Sequence, residues 1–362
     1  MNEAIIKAIR DIEAARKPAG SVPWEADKPF PQPLYTYKPS THSWEPTSPQ
    51  PSTPRSSSSS SSSSTIANLA LFSWNIDFML PHGVSRMASA LAELEAQLTG
   101  LPPTTAAVVF LQECTPDDLD VIGRTGWVRA AFARTDVGPE FWANAAYGTT
   151  TLVDRRLGVA GDVFRVHYGL TRMERDALFV DVLFPSAGGS GDEGGHGEDG
   201  GKGKQQRTIR LCNTHLESLA QEPAYRPPQV ALAAKFMHDE SVHGALLAGD
   251  LNAIQPFDRS LHSANDLRDA YLSLGGAEDS EEGYTWGQQA APELRRLYGC
   301  SRMDKVWYCG GVAVREFARF GQDVEVADEK EKEEIKAWGG FGFEKAWVTD
   351  HSGVWAVVDV VG

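Results

Sequence analysis

The chain has 362 residues, 41% of them apolar, enough for one large domain or two small ones with a buried core. Its formal net charge of −15 argues against a protein that wraps nucleic acid over a broad surface, because phosphate affinity comes mainly from Lys and Arg; a local basic groove stays open. Four scattered cysteines without a C-x-x-C pair argue against a zinc knuckle or a disulfide framework, and neither a membrane span of about 18 apolar residues nor a signal-peptide pattern is evident, so a soluble nuclear or cytoplasmic protein is expected.

In chain order, the first predicted element is a short helix within residues 1–18, with Ile5, Ile6, Ile9 and Ile12 on one face and Pro18 at its end. Residues 19–65 are rich in Pro and Ser and close with a serine run from Ser56 to Ser64. Such a composition cannot bury enough surface to order itself, so a disordered linker is expected. Its Trp24, Phe30, Tyr35, Tyr37 and Trp44 suit a strap laid on the domain or, as the less favoured reading, a segment that binds a partner of unknown kind.

The main domain is expected over 66–362. NLALFSW and AAVVFLQ read as buried strands, with a helix from about Val84 to Leu98 between them. TTTLVDRR, VAGDVFRVHYG and ALFVDVLF are rich in β-branched and aromatic residues and predict hairpins. Residues 186–206 are Gly-rich and charged, a flexible surface insertion. TIRLCNTH predicts a strand, PPQVALAAKFMHDE a helix and GALLAGDLN a strand. SRMDKVWYC and VAVREFARF read as a paired hairpin, DEKEKEEIKAW as a solvated helix or loop, and GVWAVVDVV as the last strand. Strands dominate, so a strand-rich α/β sandwich fits better than regular βαβ alternation.

Polar residues recur where these strands end. LLAGDLN carries Asp250 and Asn252, LFSWNID carries Asn75, VVFLQEC carries Glu113, CNTHLES carries His215, RMDKV carries Asp304, and VTDHSG carries Asp350 and His351. Each is weak alone, since Asn at a strand end is usually a turn residue and a lone His is usually structural. Together they suit one chemistry. A hard carboxylate such as Glu113 suits Mg²⁺, which keeps several waters and takes few protein ligands. Amide and imidazole donors suit phosphate oxygens that gain charge in the transition state. Asp250 can orient or deprotonate a water. Walker, H-E-x-x-H, Cys₂His₂ and G-x-S-x-G patterns are missing from the chain. Metal-assisted hydrolysis of a phosphate ester fits best.

The order SWNID, LQE, THLES, GDLN, RMDKV and TDH resembles the endonuclease/exonuclease/phosphatase superfamily, over nearly all of the chain from Ile66 to Gly362. The resemblance implies a four-layer α/β sandwich, two mixed β-sheets packed face to face and flanked by helices. It implies Mg²⁺ as cofactor, with Mn²⁺ as the alternative, held by Glu113 with Asn75 and supported by Asp350. It also implies that Asp250 handles the attacking water and that Asn252 and His351 donate to the phosphate, Asp304 holding the His351 ring. Within the superfamily, SWNID, NTHLES and GYTWG are most similar to the 5′-tyrosyl-DNA phosphodiesterase branch. That likeness implies a phosphate contact for His215, with Ser218 in the same motif, a base-stacking role for Trp286 and a phosphate or supporting role for Arg175 of TRMERDALF. The expected partner is a single-stranded or frayed DNA 5′ end carrying a tyrosyl or similar adduct. The alternatives are RNA, nucleotides, inositol phosphates or phospholipid head groups on the same chemistry, and a catalytically silent binding module.

Overall fold

A computed structural model of the chain describes residues 3–18, 20–47, 66–161, 163–185 and 206–362. The serine run and the Gly-rich insertion expected at 186–206, save Gln206, lie outside the described residues. Sixteen strands are described. The first eight are β1 (Pro29–Gln32), β2 (Leu34–Lys38), β3 (Ser43–Thr47), β4 (Asn68–Asn75), β5 (Thr105–Cys114), β6 (Phe132–Arg134), β7 (Gly148–Asp154) and β8 (Gly158–Val159). The rest are β9 (Val163–His167), β10 (Asp176–Pro185), β11 (Gln206–Thr214), β12 (Gly244–Asp250), β13 (Arg268–Asp269), β14 (Asp304–Gly310), β15 (Val312–Phe320) and β16 (Gly353–Val360).

They form two mixed sheets. One runs β1-β9-β10-β11-β12-β14-β13, with β8 beside β10; the other runs β15-β16-β4-β5-β7-β6-β2-β3. Each holds one parallel pair, β11–β12 in the first and β4–β5 in the second. Alternation along the strands makes the layers. Leu69, Leu71, Val108 and Phe110 face Leu178, Val180, Leu211 and Leu246 in the core between the sheets. The intervening Ala70, Phe72, Trp74 and Val109 point outward onto Met87, Leu91 and Leu94 of the helix Gly83–Thr99. Phe179, Cys212 and Leu247 likewise meet Val230, Ala233 and Met237 of the helix Arg226–Met237. Central strands covered on both faces read as unbroken apolar runs, which is why NLALFSW and GALLAG look as they do. The architecture is the four-layer α/β sandwich.

Three expectations change. Residues 29–47 are not a disordered linker but supply β1 at the edge of one sheet and β2–β3 at the edge of the other. Pro29, Pro31 and Pro46 sit in edge strands, where a missing N–H is tolerated. The aromatic residues add the anchoring: Trp44 Nε1 donates to Gly123 O at 3.0 Å, and the Arg134 guanidinium lies 4.3 Å over its ring. Second, β14 and β15 do not pair with each other; β14 pairs with β12 and β13, and β15 pairs with β16 in the opposite sheet. The chain changes sheets at Gly310, whose φ of +68° and whose missing Cβ, 2.7 Å from Gly244 Cα if present, both demand glycine. Third, β9 and β10 pair as a hairpin, but TTTLVDRR becomes β7 of the other sheet. Among the described residues no helix is long and apolar enough to cross a membrane.

Candidate active site

Both parallel pairs end at the same pole of the sandwich, and the polar residues gather there. Asn75 ends β4, Asp250 ends β12, and Asp304 opens β14 directly opposite Asp250. Asn75 Nδ2 crosses between the sheets to donate to Asp250 Oδ2 at 3.0 Å. Gly249, just before Asp250, is required where β12 closes on β11: at φ +151°, a Cβ there would lie 1.7 Å from Thr214 O. Three residues of the site, Asp77, Glu113 and Asn252, adopt left-handed backbone with φ of +54°, +58° and +47°. Such conformations cost of order 1–3 kcal/mol each outside glycine and persist where surrounding structure holds them. At Glu113 the irregularity is a break in the β5–β7 register between Leu111 and Cys114.

Asp250 is almost completely buried and ringed by donors. Its Oδ1 accepts the Asn252 backbone N–H at 2.8 Å, and its Oδ2 lies 3.3 Å from His215 Nε2 and 3.7 Å from His351 Nε2. Burial alone would raise its pKa; His351, His215 and the Asn252 N–H outweigh burial and hold the carboxyl well below the usual range. His351 Nδ1 lies 2.8 Å from Asp304 Oδ2. Burial works against the imidazolium, but Asp304, Asp250 and Asp350 together raise the His351 pKa well above its ordinary value, so the ring is protonated at neutral pH. Asp304 itself is raised, mainly by burial.

His215 is oriented from behind. Arg175 Nη1 donates to His215 Nδ1 at 2.8 Å, so the neutral ring carries its proton on Nε2. Asn252 Nδ2 donates to Leu216 O at 3.0 Å and lies 2.9 Å from His215 Nε2. The same His215 Nε2 faces Asp250 Oδ2 at 3.3 Å.

On the other side stand Asp77, Glu113 and Asp350. The Phe78 N–H donates to Glu113 Oε2 at 3.1 Å, and Trp286 Nε1 donates to Asp350 Oδ2 at 2.7 Å. Burial, then Asp350 and Glu113, push the Asp77 carboxyl up to about 8. Asp350 is raised by burial and by Glu113 and Asp250, against His351. The buried guanidinium of Arg86 near this group is spent on the carbonyls of Pro81, Ile76, Val348 and Leu80. Three hard carboxylates, of which Asp77 and Asp350 are held above their ordinary range by burial and their neighbours, beside an amide oxygen, fit a divalent cation. Asp250, Asp304 and His351 also bring ligand-type atoms within 4.8 Å of one another. A protonated imidazole whose Nδ1 is already bonded makes a poor ligand, so the Glu113 side suits a divalent cation better than this trio does.

All eight residues named from strand ends thus meet at one pole. Arg175 joins them through His215, and Trp286 through Asp350. Trp286 is half-buried, its ring tilted toward Tyr298 at 6.4 Å. Ser218 lies three residues beyond His215, half-buried and bonded to none of them. Sequence reasoning missed Asp77, although it stands in the same SWNID stretch as Asn75, two residues on. It also missed Phe78 and Tyr147, whose rings stack at 4.2 Å against this site.

The model of the Endonuclease/Exonuclease/phosphatase family matches residues 72–351. No curated protein matches the chain in sequence. Among solved structures, D. rerio TDP2 (tyrosyl-DNA phosphodiesterase 2) humanized by 14 mutations superposes with a TM-score of 0.55 at 19% identity, covering 81% of this chain and 99% of that one. D. rerio TDP2 complexed with a single-strand DNA product gives 0.54 at 17%, covering 81% and 99%. The human Nocturnin catalytic domain with a bound sulfate anion gives 0.50 at 15%, covering 82% and 96%. The extent of the family match and the gathered strand-end residues lead to one conclusion: the chain belongs to the Endonuclease/Exonuclease/phosphatase family and is a phosphoester hydrolase.

Proposed function

We propose that the protein is a Mg²⁺-dependent phosphodiesterase acting on DNA 5′ ends blocked by a tyrosyl or similar adduct, in a nuclear or cytoplasmic setting. One observation carries the reading: a carboxylate cluster that calls for a cation lies beside a donor cluster that calls for an anion. A phosphodiester with its metal ion answers both.

In this reading Glu113, with Asn75, Asp77 and Asp350, would hold the cation, Mn²⁺ being the alternative ion. Bound there, it would supply Lewis-acid stabilisation of charge developing on the phosphate. Asp250, kept ionised, orients a water and takes its proton as the water oxygen attacks phosphorus. His351, protonated and aimed by Asp304, donates to a non-bridging oxygen as charge grows. Asn252 and His215 offer their two adjacent donors to another phosphate oxygen, and Arg175 keeps His215 in the donor tautomer. The bond from phosphorus to the leaving oxygen breaks, and the 5′-phosphate stays on the DNA. Trp286 would stack on a base, an interaction worth about 1–3 kcal/mol per base; Ser218 would reach the substrate from the His215 loop. The structure of the D. rerio TDP2 product complex supports DNA as the substrate class.

The net charge of −15 favours a second reading, a small phosphoester or RNA end processed by the same groups. Turnover of a 5′-phosphotyrosyl oligonucleotide and of a small phosphodiester, compared across salt concentrations, separates the two. DNA-end turnover that falls steeply with salt supports the first reading; turnover of the small ester alone supports the second.

A further inference from the structure

The family match begins at residue 72, so the first 47 residues lie outside it, yet they reach the back of the site. The segment after the helix Glu3–Ala14 pairs with the loop before β7. Arg16 and Asn144 form an antiparallel bridge, with Ala145 N–H donating to Ala15 O at 2.9 Å and Lys17 N–H to Ala143 O at 3.1 Å. Lys17 Nζ also donates to the carbonyls of Pro139 and Glu140, each at 2.8 Å. Asn144 is fully buried; its Nδ2 donates to Ile12 O at 3.1 Å, and its Oδ1 accepts the Ala146 N–H at 2.9 Å, shaping the turn into Tyr147. Arg16 ties the same segment to the loop before β10 that carries Arg175: Nη2 donates to Arg172 O at 2.8 Å, and Nε pairs with Glu174 at 3.1 Å.

From Tyr147 the path continues into the site in two directions. Its ring stacks on Phe78, whose N–H holds Glu113. The Arg175 guanidinium lies 5.5 Å from the same ring and donates to His215 Nδ1. The space left between Trp142, Tyr147, Glu174, Arg175 and His215 is only about 10 Å³, room for at most one water. So little slack means that a shift of the 142–147 loop must displace Arg175 rather than be absorbed.

We propose that Arg16, with the 15–17 backbone and Asn144, is a positioning residue for Arg175 and His215, so that the N-terminal segment completes the active site of this chain. It works by holding Arg175 where its Nη1 donates to His215 Nδ1, which keeps the proton on His215 Nε2, facing Asp250 and the substrate oxygen. Arg16 is 47% exposed at its side chain, so its removal leaves the buried core intact.

The test uses the full chain with Arg16→Ala, Arg175→Ala and the double variant, and Lys7→Ala, on the helix just before Arg16, as a control. Nitrogen NMR of the His215 ring reads the tautomer directly. The expected result is an Nε2–H ring in wild type and Lys7→Ala, and a shift toward the Nδ1–H form in Arg16→Ala and further in Arg175→Ala. The kinetic arm rests on the phosphodiesterase reading. With a small phosphodiester and Mg²⁺, Arg16→Ala should lower kcat roughly tenfold, since small misplacements of catalytic groups have effects of this order, with KM little changed. Added to Arg175→Ala it should lower kcat no further. An unchanged His215 tautomer in Arg16→Ala, or kinetic effects that simply multiply, overturns the proposal. Inactive wild type with the expected tautomer shift overturns the phosphodiesterase reading and leaves the positioning role standing.

Discussion

The two ends of the β4–β5 pair are built differently. At the starting end, around Thr105 and Ala107, opens a cavity of about 660 Å³ lined by Leu98, Leu101, Pro102, Trp127 and Phe132. Its buried charge is settled: Arg156 pairs with Asp154 and donates to the carbonyls of Pro103 and Thr105 at 2.7 Å each. At the finishing end, Asn75, Glu113 and their neighbours gather Asp77 and Asp350 carboxyls held above their ordinary range, the facing nitrogens of Asn252 and His215, and left-handed backbone. Chemistry follows unsettled charge rather than space. The larger cavity therefore plays no part in turnover in this account.

The sharpest way to break that contrast is to remove Asp250. Asp250→Ala should cut kcat by at least about a thousandfold, since it deletes the group that handles the water; Arg155→Ala and Trp127→Ala, at the other end, should leave kcat within a factor of about two. A comparable loss from the distant pair would abolish the distinction. Chelation with EDTA should stop turnover, and added Mg²⁺ should restore it, while Glu113→Gln should raise the Mg²⁺ concentration needed for half-maximal rate. Restoration without a divalent ion would contradict the cation's place among the carboxylates.

A subtler test concerns pH. The His351 pKa is raised, so its protonated form is present through neutrality and is lost as pH rises through the elevated value. Activity should therefore fall on the alkaline side. Asp304→Asn removes the charge that does most to raise His351, so the alkaline fall should move to lower pH. A pH–rate profile unmoved by this substitution would remove the dyad from the mechanism. The smallest expected effect is at Trp286. Trp286→Ala should weaken binding of an oligonucleotide by about 1–3 kcal/mol and change turnover of a small phosphodiester much less. Equal losses on both substrates would recast Trp286 as a support for Asp350, to which its indole N–H is bonded.

Much of the site could be read in the sequence because each element of it follows an unbroken apolar strand. GDLN, SWNID and LQE all end central strands of the sandwich, and a polar residue after such a run stands out. Asp77 escaped because it comes two residues after the strand ends, in a position that looks like an ordinary turn. Tyr147 and Asn144 escaped because their loop carries no periodicity, and their role depends on what packs behind them. The edge strands β1 to β3 were hidden by proline, which edges tolerate and centres do not. The β14–β15 hairpin misreading has a similar source: Gly310 and Gly311 look like a hairpin turn, and only the approach to Gly244 shows that they carry the chain across to the other sheet.

The most direct measurement is release of tyrosine from a 5′-phosphotyrosyl single-stranded oligonucleotide, by wild type and Asp250→Ala, with Mg²⁺ or with EDTA. Release is expected from wild type with Mg²⁺, and none with EDTA or with Asp250→Ala. Release by Asp250→Ala at the wild-type rate, or by wild type in EDTA, would contradict it.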